Sequence, residues 1–212
     1  MIITTILLSD IAPYNDSNDS VPNNPMNNEP MPKASLLLGC HLIEGTPKLI
    51  LCDWLATDVR WQDKVKLAAL AKHYKFNAID TQFIPVSELN ASKPEQQLLL
   101  ASIAQLQQYV QGTRHDFDLP IDATLGTPFQ QKVWQALLDI KHGDTISYAT
   151  LAQRVDSPKG FRAVAQANSR NPLSILIPCH RVISSNGKLG GYTGGVDKKE
   201  YLLALEGIKC RS

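Results

Sequence analysis

The 212-residue chain is short of several things, and each shortage excludes a class of protein. Its four cysteines, Cys40, Cys52, Cys179 and Cys210, form no C-x-x-C pair and no regular spacing. A disulfide framework is therefore not expected, and the thiols are read as reduced. No stretch approaches the roughly 18 consecutive apolar residues of a membrane span. The N-terminal run Ile2 to Leu8 lacks the basic flank and small-residue cleavage site of a secretory signal. A soluble, cytoplasmic protein with no membrane partner is expected. Aromatic residues make up only 7%, and no internal repeat is evident. What is present is 43% hydrophobic residues, enough to exclude disorder of the whole chain and to build one or two modest cores.

Net charge is only +1, but it is segregated. Residues 1–122 hold 9 Lys+Arg against 14 Asp+Glu, whereas residues 123–212 hold 12 against 6. The halves carry −5 and +6, which suggests two units with the basic one facing a polyanion such as nucleic acid. A charge excess of this size is more often a solvated face, so it carries little weight alone.

The pattern along the chain is α+β. Residues 10–32 contain 17 Asn, Pro, Asp, Ser or Glu among 23 positions and read as a flexible insertion. Around it, Ile2 to Leu8, Ala34 to Cys40 and Lys48 to Trp54 read as strands of a small antiparallel sheet, with Asn77 to Val86 as a further candidate. Trp61 to Phe76 reads as a helix with Val65, Ala68 and Ala69 on one face and Leu70 and Tyr74 as a second pair. Ser92-Lys93-Pro94-Glu95 has the form of a capping box before a stripe of Leu99, Ile103, Leu106 and Val110. These elements make an N-terminal α+β domain, 1–112. A polar linker, 113–126, contains Pro120 and Gly126.

The C-terminal domain, 127–212, reads as mostly helical. Thr127-Pro128-Phe129-Gln130 opens a helix with Phe129, Val133, Trp134, Leu137 and Leu138 on its core face. Segments 147–155 and 161–169, separated by Asp156-Ser157-Pro158-Lys159-Gly160, have helix-turn-helix spacing. The second is rich in alanine, with Ala163, Ala165 and Ala167, so its backbone could approach another surface closely. Leu173 to Ile177 looks like a buried extended run, and Asp197-Lys198-Lys199-Glu200 like the cap of a last helix bearing Leu202, Leu203 and Leu205.

The run Pro178-Cys179-His180-Arg181-Val182 places a thiol beside an imidazole and a guanidinium. Thiolate is the nucleophile, and cationic neighbours favour it. Adjacent side chains diverge in extended backbone, so His180 would reach the sulfur through a water, with a carboxylate orienting the ring from its far side. A cysteine taken at random is more often an inert core residue. Cys40, His41, Cys52 and His73 invite a zinc reading, but adjacent Cys-His is not a usual ligand spacing and no metal is expected. Cys210, between Lys209 and Arg211, reads as exposed and oxidisable.

The sequence resembles the O6-alkylguanine-DNA alkyltransferases. The resemblance rests on Pro178 to Val182, Ile146-Ser147-Tyr148, Arg162-Ala163-Val164, Asn171-Pro172, and Gly190-Gly191-Tyr192-Thr193-Gly194-Gly195 with Glu206 closing the last helix. It is close over residues 127–207 and holds only in outline before them. It implies a winged-helix-like C-terminal domain and a stoichiometric, single-turnover transfer of an alkyl group to Cys179. The donor would be O6-alkylguanine in double-stranded DNA, with O4-alkylthymine a second candidate lesion. The resemblance implies no cofactor and a monomer. Cys179, His180, a water and Glu206 would form the relay, Tyr148 would donate to the base, and Asn171 would tie the cysteine's turn. Arg162 would enter the base stack when the nucleotide is flipped out, on a helix whose Ala163 and Ala167 allow close approach. Tyr192 and Thr193 would cover the base; Lys159, Arg170 and Lys188 are phosphate-contact candidates on charge grounds alone. Gln166 and Asn168 depart from the smaller residues of many members. The alternatives are a non-catalytic damage-binding module and, less favoured, a Cys-His hydrolase.

Overall fold

A computed structural model describes residues 1–7, 34–56, 59–63 and 65–210, so the insertion 10–32 lies outside the described residues. Over these residues the chain divides into two compact units, the first ending at Leu125 and the second starting at Gly126.

In the first unit, β1 (Ile2–Leu7), β2 (Ser35–Ile43), β3 (Thr46–Leu55) and a short β4 (Gln82–Phe83) form one sheet in the order β3-β2-β1-β4. The β1–β2 and β2–β3 pairs are antiparallel, as the patterning suggests, but β4 joins β1 in parallel. The strand expected over Asn77 to Val86 shrinks to those two residues. Asn77 accepts a bond from the Ile79 N–H and turns the chain before it, and Pro85, which has no N–H to give a ladder, follows.

Burial of Leu36, Leu37 and Leu38 in succession shows that β2 is covered on both faces, which is why its sequence is apolar without alternation. Helix α1 (Val65–Tyr74) presents Leu67 and Leu70 to a core with Ile3, Leu37, Ile50 and Leu51. The expected Leu70 and Tyr74 pair turns inward, but Ala68 and Ala69 face solvent, because the longer leucines make the larger burial. Helix α2 (Pro94–Val110) packs on β1, β2 and β3 through buried Leu99, Ile103, Leu106 and Val110. Its expected capping box does not form. Lys93 holds the N-cap position without a side-chain bond, and the Ser92 hydroxyl donates to Asn90 at 2.7 Å. The segment read as a linker packs as part of this unit up to Leu125. Leu49 exchanges backbone bonds with Pro120 and Asp122, and the Tyr74 hydroxyl donates to Asp122 Oδ1 at 2.5 Å.

The second unit opens with α3 (Pro128–Leu138), where Thr127 and Gln130 do form a reciprocal capping box. A two-residue β5 (Ile146–Ser147) pairs in parallel with β6 (Val182–Ile183). Between them run α4 (Tyr148–Arg154), capped by Ser147, and α5 (Phe161–Ser169). These two helices are the helix-turn-helix. Its turn closes tightly at Gly160, where a Cβ would overlap the Ser157 hydroxyl. The Trp134 indole N–H donates to the Ala167 carbonyl at 2.9 Å and ties α3 to α5. The last helix, α6 (Val196–Leu205), starts from Gly195 at φ 106°, a conformation suited to glycine, and not from an Asp197 cap. Among the described residues no helix is long and apolar enough to cross a membrane.

Candidate active site

Leu173 to Ile177 is buried as expected but is coiled, not extended. Ile177 N–H returns to the Leu173 carbonyl at 2.8 Å, and Ile175 sits at φ 72°, a strained value for a β-branched residue. Asn171 over-determines this loop. Its amide donates to the Ile177 carbonyl at 2.8 Å and to Leu173 O at 3.4 Å, while its oxygen accepts the Leu173 N–H at 2.9 Å. The loop ends at Pro178 and feeds a 3-10 turn, Cys179–Arg181, which places Cys179 at 4% exposure and His180 at 0%.

Glu206, the C-cap residue of α6, is buried beneath this turn with both oxygens engaged. His180 Nε2 lies 3.0 Å from Oε1, and Arg181 donates Nε to Oε2 at 2.9 Å and an Nη2 proton to Oε1 at 2.9 Å. The Gly143 N–H adds a bond to Oε2 at 3.2 Å. Burial alone would raise the Glu206 pKa, but the bond from His180 and the Arg181 guanidinium hold it well below the carboxylate range. The His180 pKa is lowered too, here by burial, against the opposing pull of Glu206. The consistent state is an anionic Glu206 paired with Arg181 and a neutral His180 whose Nε2–H donates to the carboxylate. Nδ1 is then the ring atom able to take a proton. The guanidinium two residues beyond the cysteine thus serves the carboxylate, with Nη1 donating to the Ile140 carbonyl at 2.6 Å.

Lys199 is not singled out by the sequence, where it reads only as part of the cap of the last helix. It is 0% exposed, donates to the Val182 and Leu189 carbonyls at 2.7 and 2.5 Å, and lies 5.9 Å from the Tyr148 ring centroid. Burial lowers its pKa to about 8, and negative charge at Cys179 raises it. The attraction is mutual, so the ammonium favours the Cys179 thiolate. No sequence signal distinguishes Lys199 from its exposed neighbours except its i, i+3 and i, i+4 spacing to Leu202 and Leu203. Tyr148, half-buried at the start of α4, points its hydroxyl at the Gly191 carbonyl 3.5 Å away, and burial raises its pKa, so it stays a phenol.

The other candidates sort by exposure. Arg162, Ala163, Lys159 and Arg170 are exposed on α5 or at its ends. Ala167 is not: at 2% exposure it is buried, its carbonyl taken by the Trp134 indole, and it cannot make the close outward contact expected of it. Asn168 also points inward, donating to the Cys179 carbonyl at 3.3 Å, so its departure from smaller residues concerns the cysteine and not the outer helix face. The Thr193 hydroxyl donates to Ser169 O at 2.8 Å and fastens the glycine-rich loop to the end of α5, beside a half-buried Tyr192. In the first unit, no group of three or more metal-ligating side chains converges among the described residues. Burial pushes the Cys40 thiol up to about 12, leaving it inert.

A helix-turn-helix unit with a buried Cys-His-Glu centre built into it is the class that this architecture defines. Residues 128–208 match the family model described as the 6-O-methylguanine DNA methyltransferase, DNA binding domain. Among curated proteins, the methylated-DNA–protein-cysteine methyltransferase of Methanosarcina mazei is 51% identical over 102 residues, which is 48% of this chain and 64% of that one. The constitutive enzyme of that name from Bacillus subtilis is 50% identical over 123 residues, 58% of this chain and 74% of its own. The match thus spans just under two thirds of the Methanosarcina relatives. Among solved structures, Mycobacterium tuberculosis OGT in complex with DNA aligns over 97% of this chain and 92% of its own, with TM-score 0.63 and 28% identity. The archaeal O6-methylguanine-DNA methyltransferase from Pyrococcus kodakaraensis shares the fold at TM-score 0.56 and 21% identity, over 97% and 99% of the two chains. The chain belongs to the methylated-DNA–protein-cysteine methyltransferase family.

Proposed function

We propose that the protein repairs double-stranded DNA by moving an alkyl group from the O6 atom of guanine to Cys179, once per protein molecule, with O4-alkylthymine as a further substrate. The observation that carries this reading is the burial of Cys179 beside His180 with both oxygens of Glu206 saturated by hydrogen bonds. Such a carboxylate keeps its charge and orients the imidazole without itself accepting a proton.

The Cys179 proton passes, through a water, to His180 Nδ1, and Glu206 stabilises the imidazolium. Lys199 favours the resulting thiolate by charge. Sγ attacks the alkyl carbon, the bond from that carbon to O6 breaks, and its electron pair leaves with the purine. Tyr148, held as a phenol, donates to the ring as the charge develops. The product thioether carries no leaving group of comparable ease, so the protein is consumed, and no cofactor is involved. Asn171 holds the turn, and Asn168 joins it to α5.

The lesion lies inside the duplex and must be flipped out, at a few kcal/mol that a damaged pair reduces. Arg162 fills the gap, Ala163 lets the α5 backbone approach the groove, and Lys159, Arg170 and Lys188 neutralise phosphates. Thr193 and Tyr192 cover the flipped base. The protein acts as a cytoplasmic monomer, where reducing conditions keep cysteine thiols reduced. Intact mass measured after incubation with O6-methylguanine duplex tests the proposal. One methyl group added at Cys179 per molecule, with no turnover, is expected. Tight binding with unchanged mass would leave a non-catalytic damage-binding module.

A further inference from the structure

Helix α5 shows its outer face through Phe161, Arg162, Ala163, Gln166 and Arg170, while Val164, Ala167 and Asn168 are buried. Phe161 is the anomaly. It is the first residue of the helix, 50% exposed, and the residue four further along the same face is only Ala165, which offers it little to pack on. Its ring instead carries the Arg162 guanidinium, whose Cζ lies 5.9 Å from the ring centroid. The helix N-terminus beside the ring has a glycine at the cap position and no side-chain cap, unlike α3 and α4, which Thr127 and Ser147 cap, and like them it has no acidic residue in its first turn. An anionic backbone can therefore approach this end without meeting a competing carboxylate.

Resting on the proposed repair function, we infer that Phe161 is an aromatic platform for DNA. When Arg162 enters the space left by the flipped nucleotide, the Phe161 ring stacks on the base bordering that space. Apolar side chains at minor-groove surfaces act in this way on base steps, and an aromatic ring is tolerant of sequence because every base has a π-face. The pair divides the work: Arg162 supplies charge and a planar plug, and Phe161 supplies stacking area while holding the guanidinium over its face. Phe161 is thereby a positioning and binding residue for duplex substrate, and it has no role at the sulfur.

The test compares the full chain with Phe161→Ala, Phe161→Leu and Phe161→Trp. Three readouts are taken: single-turnover methyl transfer from O6-methylguanine duplex, transfer from the free O6-methylguanine base, and duplex affinity over a range of salt concentrations. Phe161→Ala is expected to weaken duplex binding and slow duplex repair by about 5- to 100-fold, the range of one lost base–aromatic stack. Free-base transfer stays at the wild-type rate. The salt slope is unchanged, because a neutral ring releases no counterion. Phe161→Trp retains wild-type behaviour and Phe161→Leu loses most of it. The inference is overturned if Phe161→Ala matches wild type on duplex, if leucine serves as well as an aromatic residue, or if duplex and free-base rates fall together. Failure of the wild-type protein to accept a methyl group from either substrate would count against the repair reading. The affinity series would still decide whether the ring stacks.

Discussion

Two buried thiols in two units behave in opposite ways. Cys40, inside the first unit's sheet, is dominated by desolvation and the nearby negative charge of Glu95, which push it up to about 12 against the weaker opposing pull of a backbone hydrogen bond at Lys48 and the N-terminal charge. Cys179 is buried as deeply, but its surroundings include a His180–Glu206–Arg181 cluster and the Lys199 ammonium. Burial by itself silences an ionisable group. Burial among pre-aimed donors and fixed charges, each with its own hydrogen bonds, keeps charge available in a place from which bulk water is excluded.

The most severe way to break the contrast is at the sulfurs. Cys179→Ser is expected to abolish alkyl transfer while leaving duplex affinity nearly intact, and Cys40→Ser to leave transfer unchanged, as read by mass spectrometry and a gel-shift titration. Loss of transfer in both would erase the distinction. Next comes Glu206→Ala, which strands the Arg181 guanidinium and is expected to lower stability by about 3–5 kcal/mol in urea unfolding. An unaltered midpoint would mean the cluster does not hold the second unit together.

Acid should separate the members of that cluster. The His180 pKa is depressed in the fold, so the unfolded chain binds the proton more tightly and stability declines as pH falls below the ordinary value of 6.5. The Glu206 pKa is also depressed, so its contribution, full above the ordinary 4.5, is lost as pH falls from there toward its folded value. Urea midpoints measured from roughly pH 8 to pH 3 should show both declines, and His180→Gln should remove the upper one.

Smaller effects sharpen the comparison. Lys199→Met keeps an unbranched stem one atom shorter but abandons the Val182 and Leu189 carbonyls, at roughly 1–3 kcal/mol, and slows transfer at neutral pH more than at alkaline pH, where the thiol ionises without help. A rate loss independent of pH would confine Lys199 to structure. Smallest is the pair of helix starts. Thr127→Ala should cost about 1 kcal/mol, whereas Ser92→Ala should fall within a few tenths, since only the first removes a cap.

Those helix starts show where sequence reading reaches and where it stops. Thr127-x-x-Gln130 and Ser92-x-x-Glu95 are nearly the same pattern, yet in the second Asn90 captures the Ser92 hydroxyl and N–H, and the chain enters α2 one residue later. The apolar stripe of α2 was legible because four long side chains at helical spacing outweigh any local competitor. Of α1 only the Leu70 and Tyr74 pair was, because alanines such as Ala68 and Ala69 carry too little area to decide which face turns inward. At the site, the cysteine, the imidazole and the helix-turn-helix could be read directly. Lys199, Asn168 and the true partner of Arg181 could not be, because each is defined by what lies across 11 to 25 residues of intervening chain.

Local chemistry was therefore settled by order along the chain: which residue can be a nucleophile, which spacing makes a helix, which segment turns. Electrostatic fate was settled by the fold. A carboxylate at the end of a helix is a solvated acid until tertiary packing removes its water and supplies Arg181, His180 and the Gly143 N–H in its place. Charge energies depend on distance and dielectric, and neither quantity exists before the chain has closed on itself.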